Sequence, residues 1–121
     1  MTPRAPRWLS PEGRQFWRLV VPELVRLGVL HPVLDLPLLE VTAQSYGVWR
    51  RAAAEQLATD DPAVREQLQQ IAHMHAEGWL RCAAEFGLTP RSREQLRRAM
   101  DQGQDPSRAF LELLQRKARG A

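Results

Sequence analysis

The sequence predicts an all-α protein built on a long antiparallel helical hairpin, with an N-terminal helix before the hairpin and two shorter helices after it. Three observations support this prediction. Capping residues followed by proline recur along the chain, apolar residues between them repeat at steps of three and four, and no segment shows the alternation of a β-strand. A chain of 121 residues is long enough for a single domain with a modest core.

The N-terminal helix is predicted over residues 10–30, after a basic arm at residues 1–9 that we expect to be flexible. Ser10 is followed by proline, which suits the first helical position because it has no N–H to satisfy. Pro22 lies within the helical pattern and is expected to kink the helix or split it. Gly28 is expected to end it.

The hairpin is predicted over residues 35–87, with helices at about 36–58 and 62–86. Asp35 and Asp61 precede these helices and are candidate caps. The predicted core stripe is Leu39, Thr42, Tyr46, Trp49, Ala53 and Leu57 on one helix and Val64, Leu68, Ile71, His75, Trp79, Cys82 and Phe86 on the other. Because only three residues separate the helices, they must run antiparallel.

Residues 88–121 form a basic C-terminal region with two shorter predicted helices. The first begins at Pro90 and runs to about Met100, and the second runs from Pro106 to about Lys117. Thr89 and Asp105 stand before the two prolines as caps, repeating the device of the N-terminal helix.

Charge is distributed unevenly along the chain. Sixteen of the 17 basic residues are arginine, whose planar guanidinium binds phosphate in a bidentate way, although genome base composition produces the same bias. The net charge is +3 over residues 1–30, −4 over residues 31–87 and +4 over residues 88–121. Basic ends around an acidic middle indicate either a polyanion-binding end or oppositely charged surfaces that meet between subunits.

The basic clusters make nucleic acid the first candidate ligand, since phosphate contact requires only such charge. The candidate DNA-binding residues are Arg4, Arg7, Arg14, Arg18, Arg91, Arg93, Arg97 and Arg98. The alternative for the later four is pairing with acidic residues of a neighbouring subunit, such as Glu55, Asp60, Asp61 and Glu66. Trp49 and Trp79 occupy the core stripe, so only Trp8 is a candidate for exposure; it either packs onto the first helix or faces solvent.

Catalytic patterns are not found in the sequence. The only lysine, Lys117, is not part of a glycine-rich phosphate loop, and no Gly-x-Ser-x-Gly elbow occurs. His73 with Glu77, and His75 with Cys82, supply fewer ligands than zinc requires. We therefore expect a protein that is not an enzyme and that binds neither a metal nor a cofactor.

The sequence contains no run of the roughly 20 apolar residues that a membrane span needs. Residues 1–7 lack the apolar stretch of a signal peptide, and the single Cys82 cannot form an intrachain disulfide. These features predict an intracellular protein that is neither secreted nor bound to a membrane.

The order of these motifs is similar to that of phage terminase small subunits of the type found in cos-packaging tailed phages. The resemblance extends from Leu9 to Leu96. Its early part comprises LSPE at 9–12, FW at 16–17, VPEL at 21–24, LGVL at 27–30, and Asp35, Leu38 and Tyr46. Its strongest part is EFGLTPRSR at residues 85–93, which resembles the family's late aromatic–Gly–Leu–Thr/Ser–Pro–x–Ser–Arg signature. The sequence departs from the family in its short loop between the second and third helices and its brief C-terminal tail.

The resemblance implies a non-catalytic subunit that assembles into a ring of about 8–10 copies. Such a subunit binds double-stranded viral DNA near the packaging start, presents it to the large ATPase and nuclease subunit, and regulates that motor in the cytoplasm of the host cell. The candidate contacts with the large subunit or between subunits are Phe110, Leu111, Leu114, Arg116 and Lys117.

Two other functions fit the residues. A small helical DNA-binding transcriptional regulator would form a dimer on a short palindrome, but the predicted hairpin helices are long for a compact helix-turn-helix. A helical protein-interaction scaffold would use its arginines only for solubility and would show no salt-sensitive DNA binding.

Overall fold

The structure is a computed structural model that describes residues 2–31, 33–101 and Gln115, and no strand occurs among them. Its helices are α1 (Pro11–Arg26), α2 (Leu36–Ala58), α3 (Pro62–Glu85) and α4 (Pro90–Asp101). The predicted all-α class is confirmed, and the hairpin helices begin and end within one residue of their predicted bounds. The predicted final helix at 106–117 lies outside the described residues except for Gln115. None of the described helices is long and apolar enough to cross a membrane.

Two of the predicted helix caps are present as hydrogen bonds. The Ser10 hydroxyl accepts the Gly13 N–H at 3.1 Å, and the Asp61 carboxylate accepts the Ala63 N–H at 3.0 Å. Asp35 was expected to cap α2, but its side chain makes no cap hydrogen bond and accepts instead the backbone N–H of His31 at 2.7 Å. This bond closes the turn before α2, so Asp35 organises the loop rather than the helix end.

Two glycines end α1 and α3 in the same way. Gly28 and Gly87 have φ values of 69° and 72°, in the left-handed region that a Cβ disfavours. The next residues, Val29 and Leu88, donate their N–H groups to carbonyls five residues earlier, to Leu24 at 3.1 Å and to Ala83 at 3.0 Å. This is the Schellman arrangement, which satisfies carbonyls at a helix end and turns the chain away.

Of the two outcomes expected at Pro22, a kink or a split, the split does not occur. Helix α1 runs without interruption from Pro11 to Arg26. Pro22 lies on the exposed side of α1. Water can therefore reach the carbonyl of Arg18, which the proline ring leaves without its helical N–H donor.

The core lies where α1 packs against the first half of α2 and the last turns of α3. Phe16 lies at its centre, with ring centroids 4.9 Å from Tyr46 and 6.2 Å from Trp79. The buried members of this core are Leu9, Phe16, Trp17, Val21, Leu24, Val29, Leu39, Ala43 and Phe86. The backbones of α1 and α2 approach most closely beside Gly47, where an added Cβ would lie 2.3 Å from the Ser10 hydroxyl.

The predicted hairpin stripe is buried only over its part nearest the core. Leu39 is fully buried, whereas Leu57 at the end of α2 is 89% exposed. Val64 and Ile71, in the first half of α3, are also exposed. The physical reason is length: α1 has 16 residues and α2 has 23, so α1 covers only part of the hairpin. We call residues 52–74, which lie beyond the start of α1, the distal hairpin.

The segment before α1 is attached to it, although the sequence suggested a free basic arm at residues 1–9. Leu9 is buried in the core, and Trp17 Nε1 donates to the Pro3 carbonyl at 2.9 Å. Arg14 donates to the carbonyls of Arg7 and Leu9. These contacts hold residues 3–9 along the first turns of α1.

Candidate nucleic-acid interface

The chain turns from α3 into α4 through residues 86–92, which carry the late sequence motif. Gly87 ends α3, and Thr89 caps α4 together with Ser92. The Thr89 hydroxyl accepts the Ser92 N–H and the Ser92 hydroxyl accepts the Thr89 N–H, both at 3.2 Å. Ser92 is buried, so this reciprocal cap is shielded from water. The motif therefore determines the direction in which α4 leaves the core.

All four candidate arginines of α4 have exposed side chains. Their spacing places them on two sides of the helix: Arg91 and Arg98 are seven residues apart on one side, and Arg93 and Arg97 are four apart on the other. Buried Leu96 faces the core between the two sides. The helix thus presents basic groups on both flanks of its outer surface.

Glu94 neutralises part of this charge. Its carboxylate accepts hydrogen bonds from Arg97 at 2.6 and 3.1 Å and from Arg98 at 3.3 Å. Arg97 also pairs with Asp101 at 2.9 Å. The Arg97 hydrogen bond, together with the positive charges of Arg97 and Arg98, holds the pKa of Glu94 below its usual value against a smaller opposing effect of desolvation. Glu94 and Asp101 likewise raise the pKa of Arg97.

The remaining two arginines of α4 differ in their surroundings. Arg93 donates to the Leu88 carbonyl at 3.1 Å and so helps to hold the turn before α4. Arg91 makes no ion pair or hydrogen bond within the described part of the chain. Arg91 is consequently the α4 arginine most available to a phosphate.

The N-terminal candidates also divide into two kinds. Arg14 is half-buried, and its guanidinium is occupied by the two backbone carbonyls of the preceding segment. Arg4, Arg7 and Arg18 have exposed side chains. Arg14 therefore positions the segment that carries Arg4 and Arg7, and the other three are free to meet an anion.

The structure places the two basic groups toward different ends of α1. Arg14 holds the N-terminal group at the start of α1, whereas α4 lies beside Leu27 and Val29, which follow its end. A helix of 16 residues is about 24 Å long. The basic ends of the sequence are consequently two patches rather than one.

Two arginines that the sequence analysis did not select lie near the N-terminal group. Arg51 of α2 lies 3.4 Å from the Glu12 carboxylate of α1, and Arg50 lies 6.0 Å from the ring centroid of Trp49. A hydrogen bond from its own backbone lowers the pKa of Glu12, and Arg51 lowers it further, against some desolvation. The adjacent arginines are apparent in the sequence, but they were not selected because residues 31–87 carry a net negative charge.

An apolar groove of about 550 Å³ lies between α4 and the chain that follows α1. Its floor is formed by Leu27, Val29, Phe86, Leu96 and Met100. Arg93 and Arg97 of α4 also line the groove.

The distal hairpin combines exposed apolar side chains with acidic ones. Leu57, Val64 and Ile71 are exposed, and the turn between α2 and α3 carries Asp60 and Asp61. The distal hairpin thus presents an apolar and acidic surface that α1 leaves uncovered. The sequence-predicted contact residues Phe110, Leu111, Leu114, Arg116 and Lys117 lie outside the described residues.

Within the ranges that the structure describes, no group of three or more His, Cys, Asp and Glu side chains could hold a metal ion. His73 lies 3.3 Å from Glu77 on the exposed side of α3, as their spacing predicted, and this is a pair only.

Comparison with known families identifies one match. Residues 13–103, about three quarters of the chain, match the sequence model of a family described as phage terminase, small subunit. The match covers all of α2, α3 and α4 and nearly all of α1. Neither the curated proteins nor the solved structures gave a significant match.

Proposed function

The chain belongs to the phage terminase small-subunit family, which acts in packaging phage DNA, and on this premise we propose that it binds double-stranded viral DNA and presents it to the large terminase subunit. The large subunit carries the ATPase and nuclease, and the small subunit regulates that motor without catalysis of its own. The proposed setting is the cytoplasm of the host cell.

The exposed basic surface of α4 supports the proposal most directly. A buried reciprocal cap holds this helix, and four exposed arginines project from it. Arg91 and Arg98 stand together on one side, about 10 Å apart along the helix axis, so their long side chains can contact phosphates of the same DNA backbone. Arg4, Arg7 and Arg18 supply a second patch for the same polyanion.

Salt-dependent binding provides the test. The full chain is titrated against fluorescein-labelled duplex DNA, and anisotropy is followed over a series of salt concentrations. The double variant Arg91→Gln/Arg98→Gln should bind more weakly and reduce the slope of log K against log salt by about 2, because each phosphate contact contributes about 0.9.

A charge-matched control is the double variant Arg26→Gln/Arg65→Gln. Arg26 pairs with Glu23, and Arg65 donates to the Thr59 carbonyl at the hairpin turn, so both lie outside the two basic patches. This control should retain most of the slope. An unchanged slope in the α4 variant would remove α4 from the DNA-binding surface, and the absence of salt-sensitive binding by the unaltered chain would contradict the proposal as a whole.

We further propose that copies of the chain assemble into a ring of about 8–10 through the distal hairpin. Its apolar side chains have no cover from α1, and its acidic turn is complementary in charge to the basic patches of another copy. Phe110, Leu111, Leu114, Arg116 and Lys117 remain the proposed contacts with the large subunit or a neighbouring copy.

A further inference from the structure

Trp8 is exposed at the tip of a turn that is itself firmly held. Its side chain is 60% exposed, whereas Trp17 is 3% exposed and Trp49 and Trp79 are half-buried. The turn is closed by a hydrogen bond of 3.3 Å from the Leu9 N–H to the Pro6 carbonyl. The indole of Trp8 is therefore displayed to solvent by ordered backbone.

Three anchors hold this turn from both sides. After Trp8, the side chain of Leu9 is buried in the core at 4% exposure. Before Trp8, Arg14 donates to the carbonyl of Arg7, and Trp17 donates to the carbonyl of Pro3. None of these contacts involves the Trp8 side chain, so the segment does not need the indole in order to stay in place.

The surroundings of Trp8 are cationic. Arg4 and Arg7 precede it with exposed side chains, and residues 2–11 include no acidic residue. The first acid in the chain, Glu12, is half-buried and lies 3.4 Å from Arg51. An exposed aromatic ring that follows two exposed arginines by one and four residues offers groups for both parts of a nucleotide, the ring for the base and the arginines for the phosphates.

We infer that Trp8 stacks on an unstacked DNA base, with Arg4 and Arg7 holding the adjoining phosphates. This inference rests on the proposed DNA binding and names a second site for it, separate from α4. A base inside an intact duplex is covered on both faces by its neighbours. The ligand is therefore a base in a single-stranded stretch or at a duplex end.

Binding of the full chain to labelled oligonucleotides of equal length tests this inference. The probes are a single strand of thymidines, the same backbone with abasic sites, a blunt-ended duplex, and a duplex closed at both ends by ethylene glycol linkers that carry no bases. Trp8→Ala should bind the thymidine strand roughly 5- to 100-fold more weakly, as stacking on aromatic side chains predicts. Trp8→Phe keeps a flat ring and should stay within about 3-fold of the unaltered chain.

The abasic strand separates stacking from charge. On that probe Trp8→Ala and the unaltered chain should bind equally, while Arg4→Gln/Arg7→Gln should weaken binding to both single strands. If Trp8→Ala weakens binding to the blunt duplex but not to the closed duplex, the stacked base lies at a DNA end. A loss confined to the thymidine strand assigns it to a single-stranded stretch.

Leu19→Ala is the matched control, because Leu19 is 66% exposed on α1 and also apolar. It should leave the affinity for every probe unchanged. Melting temperatures of all variants should match that of the unaltered chain, since the Trp8 side chain takes no part in the anchors of its turn.

The outcomes separate this inference from the proposed function. If the unaltered chain binds DNA and Trp8→Ala binds both the thymidine strand and the blunt-ended duplex equally well, the inference is overturned and DNA binding through α4 stands. If Trp8→Ala instead changes only the mass of the assembly or the affinity for purified large subunit, Trp8 is a protein contact and the inference is likewise overturned. If the unaltered chain binds no probe, both fail.

Discussion

At the scale of single residues, most of the late sequence motif forms the turn between α3 and α4. Gly87 and Leu88 end α3, and Thr89 with Ser92 begins α4, so most of the motif is used by the backbone. Arg93 also joins it by donating to the Leu88 carbonyl. Only Arg91 within the motif remains free of such a role in the described chain.

Gly87→Ala should destabilise the protein more than Gly28→Ala. Both positions have positive φ, which costs a residue with a Cβ about 1–2 kcal/mol. At Gly87 the added Cβ would also lie 2.5 Å from a methyl group of Leu96, whereas at Gly28 no atom lies within 4 Å. Urea unfolding should show a further loss of about 1 kcal/mol or more for Gly87→Ala. Equal losses would mean that Leu96 moves aside without cost.

Glu94→Gln should strengthen DNA binding and steepen its dependence on salt. The change frees Arg98 and part of Arg97 and raises the net charge of α4 by one. The pKa of Glu94 is lowered, so its carboxylate stays ionised to a lower pH than an ordinary glutamate. Mild acidification therefore does not neutralise Glu94 and cannot mimic the substitution. Anisotropy titration of duplex DNA checks this. Weaker binding would indicate that Glu94 is needed to orient Arg97 and Arg98.

The carboxylate partner of Arg97 and Arg98 could have been predicted from the sequence, since Glu94 stands three and four residues before them. The carbonyl partners of Arg14 and Arg93 could not, because they depend on how the chain turns before each helix. Exposure of Trp8 was one of two alternatives and is the one that the structure supports, while Leu9 takes the buried place.

At the scale of helices, the boundaries were predictable because their causes are local. Ser10 and Asp61 each precede proline, and Gly28 and Gly87 each end a helix, so a few adjacent residues determine each bound. Burial along the hairpin was not predictable in the same way. The periodicity shows which side of α2 or α3 is apolar, but the length of α1 decides how much of that side is covered.

Gly47→Ala should destabilise the packing of α1 on α2, although alanine favours helices. The new Cβ would lie 2.3 Å from the Ser10 hydroxyl and 3.1 Å from the Gly13 nitrogen, so it would disturb the α1 cap and separate the helices. Loss of the cap alone costs about 1 kcal/mol, and overpacking about 1–3 kcal/mol. Both exceed or equal the gain of up to about 1 kcal/mol from helix propensity.

Gly78→Ala is the control for that substitution. Gly78 lies in α3, where the nearest atom to an added Cβ is the Ser45 hydroxyl at 3.7 Å, an ordinary contact. This variant should be neutral or up to about 1 kcal/mol more stable in thermal unfolding. A Gly47→Ala protein as stable as Gly78→Ala would show that α1 can shift along α2 at no cost.

At the scale of the whole molecule, the basic patches and the acidic turn are separated in space. The basic patches lie at the start of α1 and on α4, while Asp60 and Asp61 lie at the hairpin turn, on the distal hairpin with exposed Leu57. The order of basic ends and acidic middle was visible in the sequence. The separation of the two basic ends into different patches could not be predicted from the sequence, because it depends on α1 lying between them.

Leu57→Glu/Met74→Glu should reduce assembly without unfolding the single chain. Leu57 is 89% exposed and Met74 is 60% exposed, so the changes remove little packing within one copy but place charges on the proposed subunit contact. Light scattering after size-exclusion chromatography should give a lower mass. Leu19→Glu, which changes an exposed residue of α1, should keep the original mass. An unaltered mass in the double variant would place the subunit contact elsewhere.

The uneven cover of the hairpin also implies a gradient of local stability within one chain. Near the core, α2 and α3 open only if α1 also moves, whereas the distal hairpin is held by its two helices and a turn. Amide hydrogens there should exchange through small openings that leave the aromatic core intact. Any partner that covers this end would suppress those openings at a cost in conformational entropy, and recognition would be coupled to the completion of folding.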